Sequence, residues 1–267
     1  MATYSTEKGF TIQSLATDPV ATAILGSTWA AGGAMNTARE GIGSASNGSS
    51  TAALGFSGDT GSISALNESY DGSSWTEVAD VNTARRFVQG CGLNTAALIM
   101  GGSVYPPISA LTEKWDGTSW TEVGDLNTER YGPYGSGTNT AAIISGGKDT
   151  DFVAVAETWN GTAWTEVGDL NNDRAEGGSS GTSTSTIVFG GAMTGANIAL
   201  TESYDGSTWT EVNDMATARS SLGGAGTSSP AGIAFGGTTG SATNATEEWG
   251  LLTTTAPGAQ NVKIITD

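Results

Sequence analysis

Five arginines and five glutamates recur through this sequence on one beat. Arg39, Arg85, Arg130, Arg174 and Arg219 each end an Asn-Thr-Ala-Arg element or a variant of it, at spacings of 46, 45, 44 and 45 residues. Glu68, Glu113, Glu157, Glu202 and Glu247 keep the same beat further along each unit. Two chemistries fit guanidinium and carboxylate groups in equal number. They can form a set of bidentate ion pairs, between or within repeat units. Alternatively, the arginines can line a ring that faces an anionic ligand. A buried arginine requires a carboxylate partner, and one is supplied every time, so paired structural charges are the expectation.

Other reactive groups are scarce. The chain has no histidine, which removes the commonest metal ligand and the usual general base. Its one cysteine, Cys91, allows neither an internal disulfide nor a cysteine-based zinc site. Flanked by Gly90 and Gly92, it reads as a small buried filler. No Ser-His-Asp, Cys-His or phosphate-loop arrangement is present. The expectation is therefore no enzyme, with no catalytic residue, metal or cofactor. A net charge of −17 argues against nucleic-acid partners and against attraction to an anionic membrane. The first residues lack the basic-then-apolar pattern of a signal peptide, and no apolar run is long enough to span a bilayer.

The elements that must position the charges repeat with them. The stretch Thr112-Glu113-Lys114-Trp115-Asp116-Gly117-Thr118-Ser119-Trp120-Thr121-Glu122-Val123 returns at Thr201–Val212, around Trp159 and Trp164, and around Tyr70 and Trp75. Two runs of β-formers meeting at Asp-Gly or Asn-Gly spell a hairpin. The turn residues Asp71, Asp116, Asn160 and Asp205 lack the dense ligand spacing of a calcium loop, so a turn role is expected. Gly-Gly pairs mark the same period at Gly101, Gly146, Gly190 and Gly236, with Gly55-Phe56-Ser57-Gly58 as a degenerate first copy. In the third unit the pattern predicts strand a over 131–137, b over 140–145, c over 153–159 and d over 164–170. Four short strands per period of about 45 residues is the signature of a propeller blade.

An arginine, a small-residue strand, an apolar strand ending in Gly-Gly, then an aromatic and a spaced Trp together resemble the kelch repeat, over 29–250. The resemblance implies an all-β propeller with strand a at the axis and strand d outermost. The first-aromatic column Tyr70, Trp115, Trp159, Tyr204 and Trp249 counts five blades of four antiparallel strands. The last hairpin lacks its own fourth strand, and the N-terminal stretch around Trp29 is expected to join that blade and close the ring. A narrow five-bladed axis also demands small inner strands, as Gly90-Cys91-Gly92 and Gly135-Ser136-Gly137 provide. All eight tryptophans fall in the two repeat columns, where interlocking between blades explains them.

The expected organisation is an N-terminal docking arm over 1–28, the propeller over 29–250 and a tail over 251–267. Val262-Lys263-Ile264-Ile265 in the tail is a strand-like end that could add to a sheet edge of this chain or of a neighbour. Antiparallel topology puts the b–c and d–a connections on one side of the wheel. The b–c connections vary in sequence, so Tyr105, Lys148, Asp149, Asp151 and Phe152 are the expected ligand contacts.

The arm Phe10-Thr11-Ile12-Gln13 with Asp18-Pro19, the Trp-Thr-Glu-Val and Asn-Thr-Ala-Arg blades, and the tail ending Val262–Asp267 also resemble kelch-like proteins of marine tailed bacteriophages. That resemblance implies a non-enzymatic virion protein, tail- or fibre-associated and present in multiple copies. Its expected partners are other virion proteins and a host cell-surface glycan or protein. The alternative is a free glycan-binding propeller lectin with repeated pockets between blades.

Overall fold

The structure, a computed structural model, describes 32–229 and 231–250, together with the backbone of 4–7, 10–14 and 262–265. The propeller has five antiparallel sheets arranged in a ring, one per repeat, and no helix occurs among the described residues. Two strands precede it, β1 (Tyr4–Glu7) and β2 (Phe10–Ser14). Blade one is β3 (Gly43–Ser44), β4 (Ala53–Phe56), β5 (Asn67–Tyr70) and β6 (Trp75–Val78). Blade two is β7 (Gln89–Leu93), β8 (Ala96–Met100), β9 (Thr112–Trp115) and β10 (Trp120–Glu122). Blade three is β11 (Tyr134–Gly137), β12 (Ala142–Ser145), β13 (Ala156–Trp159) and β14 (Trp164–Val167).

Blade four carries β15 (Gly178–Thr182) and β16 (Ser185–Phe189), then the small hairpin β17 (Ala192–Met193) and β18 (Ala196–Asn197). It ends with β19 (Thr201–Tyr204) and β20 (Trp209–Val212). Blade five shows three strands among the described residues, β21 (Gly223–Ser228), β22 (Ala231–Phe235) and β23 (Thr246–Gly250). Its expected fourth strand around Trp29 lies outside the described residues. The last strand, β24 (Val262–Ile265), pairs antiparallel with β2, which pairs with β1. Arm and tail thus share one three-stranded sheet, in a compact unit of 1–31 and 252–267, distinct from that of 32–251.

Strand positions in the third repeat agree with the sequence pattern, but the strands are shorter than it suggests. The b–c end is occupied by turns and single bridges rather than by ladder. Strand a of each blade lies innermost, next to strand a of its neighbour. Close approach is enforced there by glycine. A Cβ on Gly90 would sit 2.4 Å from both Phe56 Cζ and Ser44 O, and one on Gly135 only 2.5 Å from Gln89 Cγ.

Aromatic pairs close the outer layer. Ring centroids are 5.1 Å apart for Tyr70–Trp75, 5.3 Å for Trp115–Trp120, 5.4 Å for Trp159–Trp164 and 4.9 Å for Tyr204–Trp209. The second member of a pair reaches the preceding blade. Trp120 meets Phe56 edge-on at 5.2 Å, and Trp164 Nε1 donates to Thr112 Oγ1 at 3.0 Å. Such contacts contribute roughly 0.5–1.5 kcal/mol each beyond the area they bury.

Candidate functional site: the b–c face and its axial mouth

The repeated charges pair within blades. Each arginine precedes strand a, and its glutamate lies on strand c of the same blade. Nη2–Oε1 distances are 2.9 Å for Arg39–Glu68, 2.8 Å for Arg85–Glu113, 3.1 Å for Arg174–Glu202 and 3.0 Å for Arg219–Glu247, with Arg130–Glu157 also in contact. All five guanidinium side chains are fully buried. Nη1 fastens the b–c connection. In blade two it donates to Gly101 O at 3.0 Å and Leu111 O at 2.6 Å, the two ends of that loop. Glu113 Oε2 accepts from Asn82 N at 2.7 Å and from Asn82 Nδ2 at 2.9 Å, and Glu157 and Glu202 repeat this with Asn127 and Asn171. Burial pushes the Arg85 and Arg130 groups below their ordinary value, while Glu113 and Glu157 oppose that shift. These charges neutralise one another with every guanidinium out of contact with solvent, which favours the structural pairing over an anion-binding ring.

The b–c connections differ in sequence and in their turns yet open on one backbone geometry. In the later blades each opens on two left-handed glycines, such as Gly101 at φ 62° and Gly102 at φ 105°. The second of these ties the blade to the next one, as Gly102 N donates to Arg130 O at 2.8 Å. Blade one places Ser57 at φ 60° where the others have glycine.

The expected loop contacts separate into groups. Tyr105 is 74% exposed, and the Arg86 guanidinium lies 5.6 Å from its ring centroid. Lys148 Nζ sits 5.0 Å over the Phe152 ring. Asp149 Oδ1 accepts from Asp151 N at 2.9 Å and from Thr150 Oγ1 at 3.1 Å. These turn bonds, the Asp151 backbone foremost, hold the Asp149 carboxyl below its usual range. Asp151 itself is exposed.

A second set of residues escaped the sequence reading. Two positions past each arginine stand Gly41, Phe87, Gly132, Glu176 and Ser221, all left-handed, with φ of 58°, 52°, 60°, 62° and 50°. They form a rim around the axis. Phe87 N donates to Gly41 O at 2.8 Å, Gly132 N to Phe87 O at 2.9 Å, Glu176 N to Gly132 O at 2.8 Å and Ser221 N to Glu176 O at 2.7 Å. The two glycines make room for their neighbours. A Cβ on Gly41 would lie 3.1 Å from Phe87 Cδ1, and one on Gly132 3.1 Å from Glu176 Cγ.

Inside the rim is a mouth of about 390 Å³ whose walls include Glu40, Ile42, Phe87, Pro133, Glu176 and Ser221. Phe87 is 39% exposed, tilted against Tyr131 at 6.2 Å, with the Arg86 guanidinium 5.2 Å from its centroid. Arg86 is in turn held by Asp59 at 2.6 Å. Ser221 Oγ donates to Glu176 Oε2 at 2.9 Å. A left-handed phenylalanine costs on the order of 1–2 kcal/mol, and backbone strain of that kind gathers at functional sites. Aligning the repeats on their arginines places these residues in one column, but the shared feature is the backbone angle and not a residue type.

Elsewhere the polar groups serve the scaffold. Asp71 Oδ1 accepts from Ser73 N at 2.8 Å and Ser74 N at 2.9 Å, a hairpin-turn role that Asp116, Asn160 and Asp205 repeat. Cys91 is completely buried, and burial pushes its thiol up to about 12. Among the described residues no helix is long and apolar enough to cross a membrane. No protein-family model and no curated protein matches this sequence.

Proposed function

We propose that the chain is a non-enzymatic recognition protein of a tailed-phage virion. It presents the b–c face of its propeller to a host surface, and the sheet of β1, β2 and β24 fastens it to a neighbouring virion protein. One observation carries the recognition half of this reading. The repeated charges are buried and internally neutralised, whereas Phe87, Arg86 and Tyr105 lie at least partly open to solvent on the one face where loop sequence varies. Variable loops on a rigid scaffold are how recognition is usually built. The virion half rests on the arm, blade and tail resemblance of the sequence.

The described seams between the first four blades are filled by tryptophans, with Trp120 on Phe56 and Trp164 on Thr112. That filling favours a single face over repeated pockets between blades. Mass spectrometry and cryo-EM of purified particles test the assignment. Copies of the chain at the outer surface of the tail or its fibres are the expected result, and particles lacking the chain would overturn it.

A further inference from the structure

We infer that the axial mouth binds one neutral sugar ring, stacked on Phe87 and hydrogen-bonded by Glu176 and Ser221. This deepens the recognition reading above and rests on it.

Size comes first. About 390 Å³ falls within the roughly 300–1,000 Å³ of small-molecule sites and is too little for a folded partner. Wall chemistry comes next. One side offers the Phe87 ring, 39% exposed, and another offers a carboxylate–hydroxyl pair 2.9 Å apart. With Oε2 engaged by Ser221, Oε1 of Glu176 is left to accept a ligand hydroxyl. A pyranose presents both matching surfaces, a C–H face for the ring and vicinal hydroxyl groups for the carboxylate and the serine.

Charge narrows the class further. An anionic ligand would approach a chain of net charge −17 and meet Glu40 and Glu176 at the walls. A cationic ligand would compete with Arg86, whose guanidinium already lies 5.2 Å from the Phe87 centroid. A neutral polyhydroxylated ring carries no charge for these groups to repel. The backbone supports the same assignment, because the rim position accepts glycine in blades one and three. The backbone therefore does not itself require a phenylalanine there.

Saturation-transfer NMR on the full chain tests this with the methyl glycosides of glucose, galactose, mannose and N-acetylglucosamine. Glucuronate and choline serve as charged comparisons. Binding of at least one neutral glycoside is expected, weakened ten-fold or more by Phe87→Gly and by Glu176→Gln. Phe87→Gly suits the left-handed backbone, so its cooperative thermal unfolding should persist and rule out misfolding as the cause of lost binding. The inference is overturned if no neutral glycoside binds, if both variants bind as the parent does, or if glucuronate or choline binds as tightly. Particle localisation separates the two claims. A chain on the virion surface that binds no sugar ends this inference alone, while sugar binding by a chain absent from particles ends the virion assignment alone.

Discussion

Arg85 and Glu113 meet at 2.8 Å, with both side chains fully buried, and each holds a further part of the blade. The arginine fastens the two ends of the b–c connection, and the glutamate fastens the segment leading into strand a. The pair is thus the point at which loop, linker and sheet are joined. Arg219–Glu247 differs, because Glu247 is 24% exposed.

Removing one partner of a buried pair leaves an uncompensated charge, which costs about 3–5 kcal/mol. Glu113→Ala and Glu157→Ala should lose that much in urea unfolding. Glu247→Ala should lose clearly less, since solvent reaches its arginine's partner. Equal losses at all three positions would contradict the burial difference.

Ser57 holds a left-handed backbone that its counterparts fill with glycine. Ser57→Gly should stabilise the chain by about 0.5–1 kcal/mol, relieving strain and removing a buried hydroxyl without a partner. Calorimetry that showed a lower Tm would mean the hydroxyl has a stabilising role that the geometry does not reveal.

Asp71 and Asp205 each accept backbone and side-chain bonds in a hairpin turn, which lower their carboxyls from 3.8 to about 2, with the Ser74 and Thr208 backbone contributions first. A depressed folded value means the turn contribution is fully present above the ordinary 3.8 and is lost as pH falls through about 2. Carboxyl NMR titration should therefore show midpoints near 2 for both, and hairpin order should fade only below pH 4. Midpoints near 3.8 would show that the turn bonds do not persist in solution.

Four blades pair their first aromatic with a second from strand d, and the repeat register assigns Trp29 to that role beside Trp249. Trp29→Ala should lower the Tm by several degrees, as should Trp164→Ala at a described seam. An unchanged Tm for the first variant, with a lowered one for the second, would end the expectation that Trp29 closes the ring.

What the sequence made legible follows from what repeats by residue type. Tryptophan columns, glycine pairs and the arginine–glutamate beat are each held by one geometric need, so the blades and the buried pairs could be read directly. The rim could not, because its need is a backbone angle. Gly41, Phe87, Gly132, Glu176 and Ser221 share φ near 50–62° and no side-chain chemistry. On the b–c connections residue type varies over shared backbone contacts, since Ser103 and Lys148 differ in type yet each bridges the residue just after its blade's arginine, Arg86 and Tyr131. Pairing of β24 with β2 was legible only as a strand end that could add to an edge of this chain or of a neighbour, because Val262–Ile265 carries no mark of its partner.

That left-handed rim sets the side chains of the mouth apart from the buried pairs that hold the blades. With Gly41 and Gly132 retained as clearance, a library at positions 87, 176 and 221 varies the wall of the mouth while leaving the buried pairs of the blades in place. On the function proposed above, those three codons are where a switch of host range would be encoded.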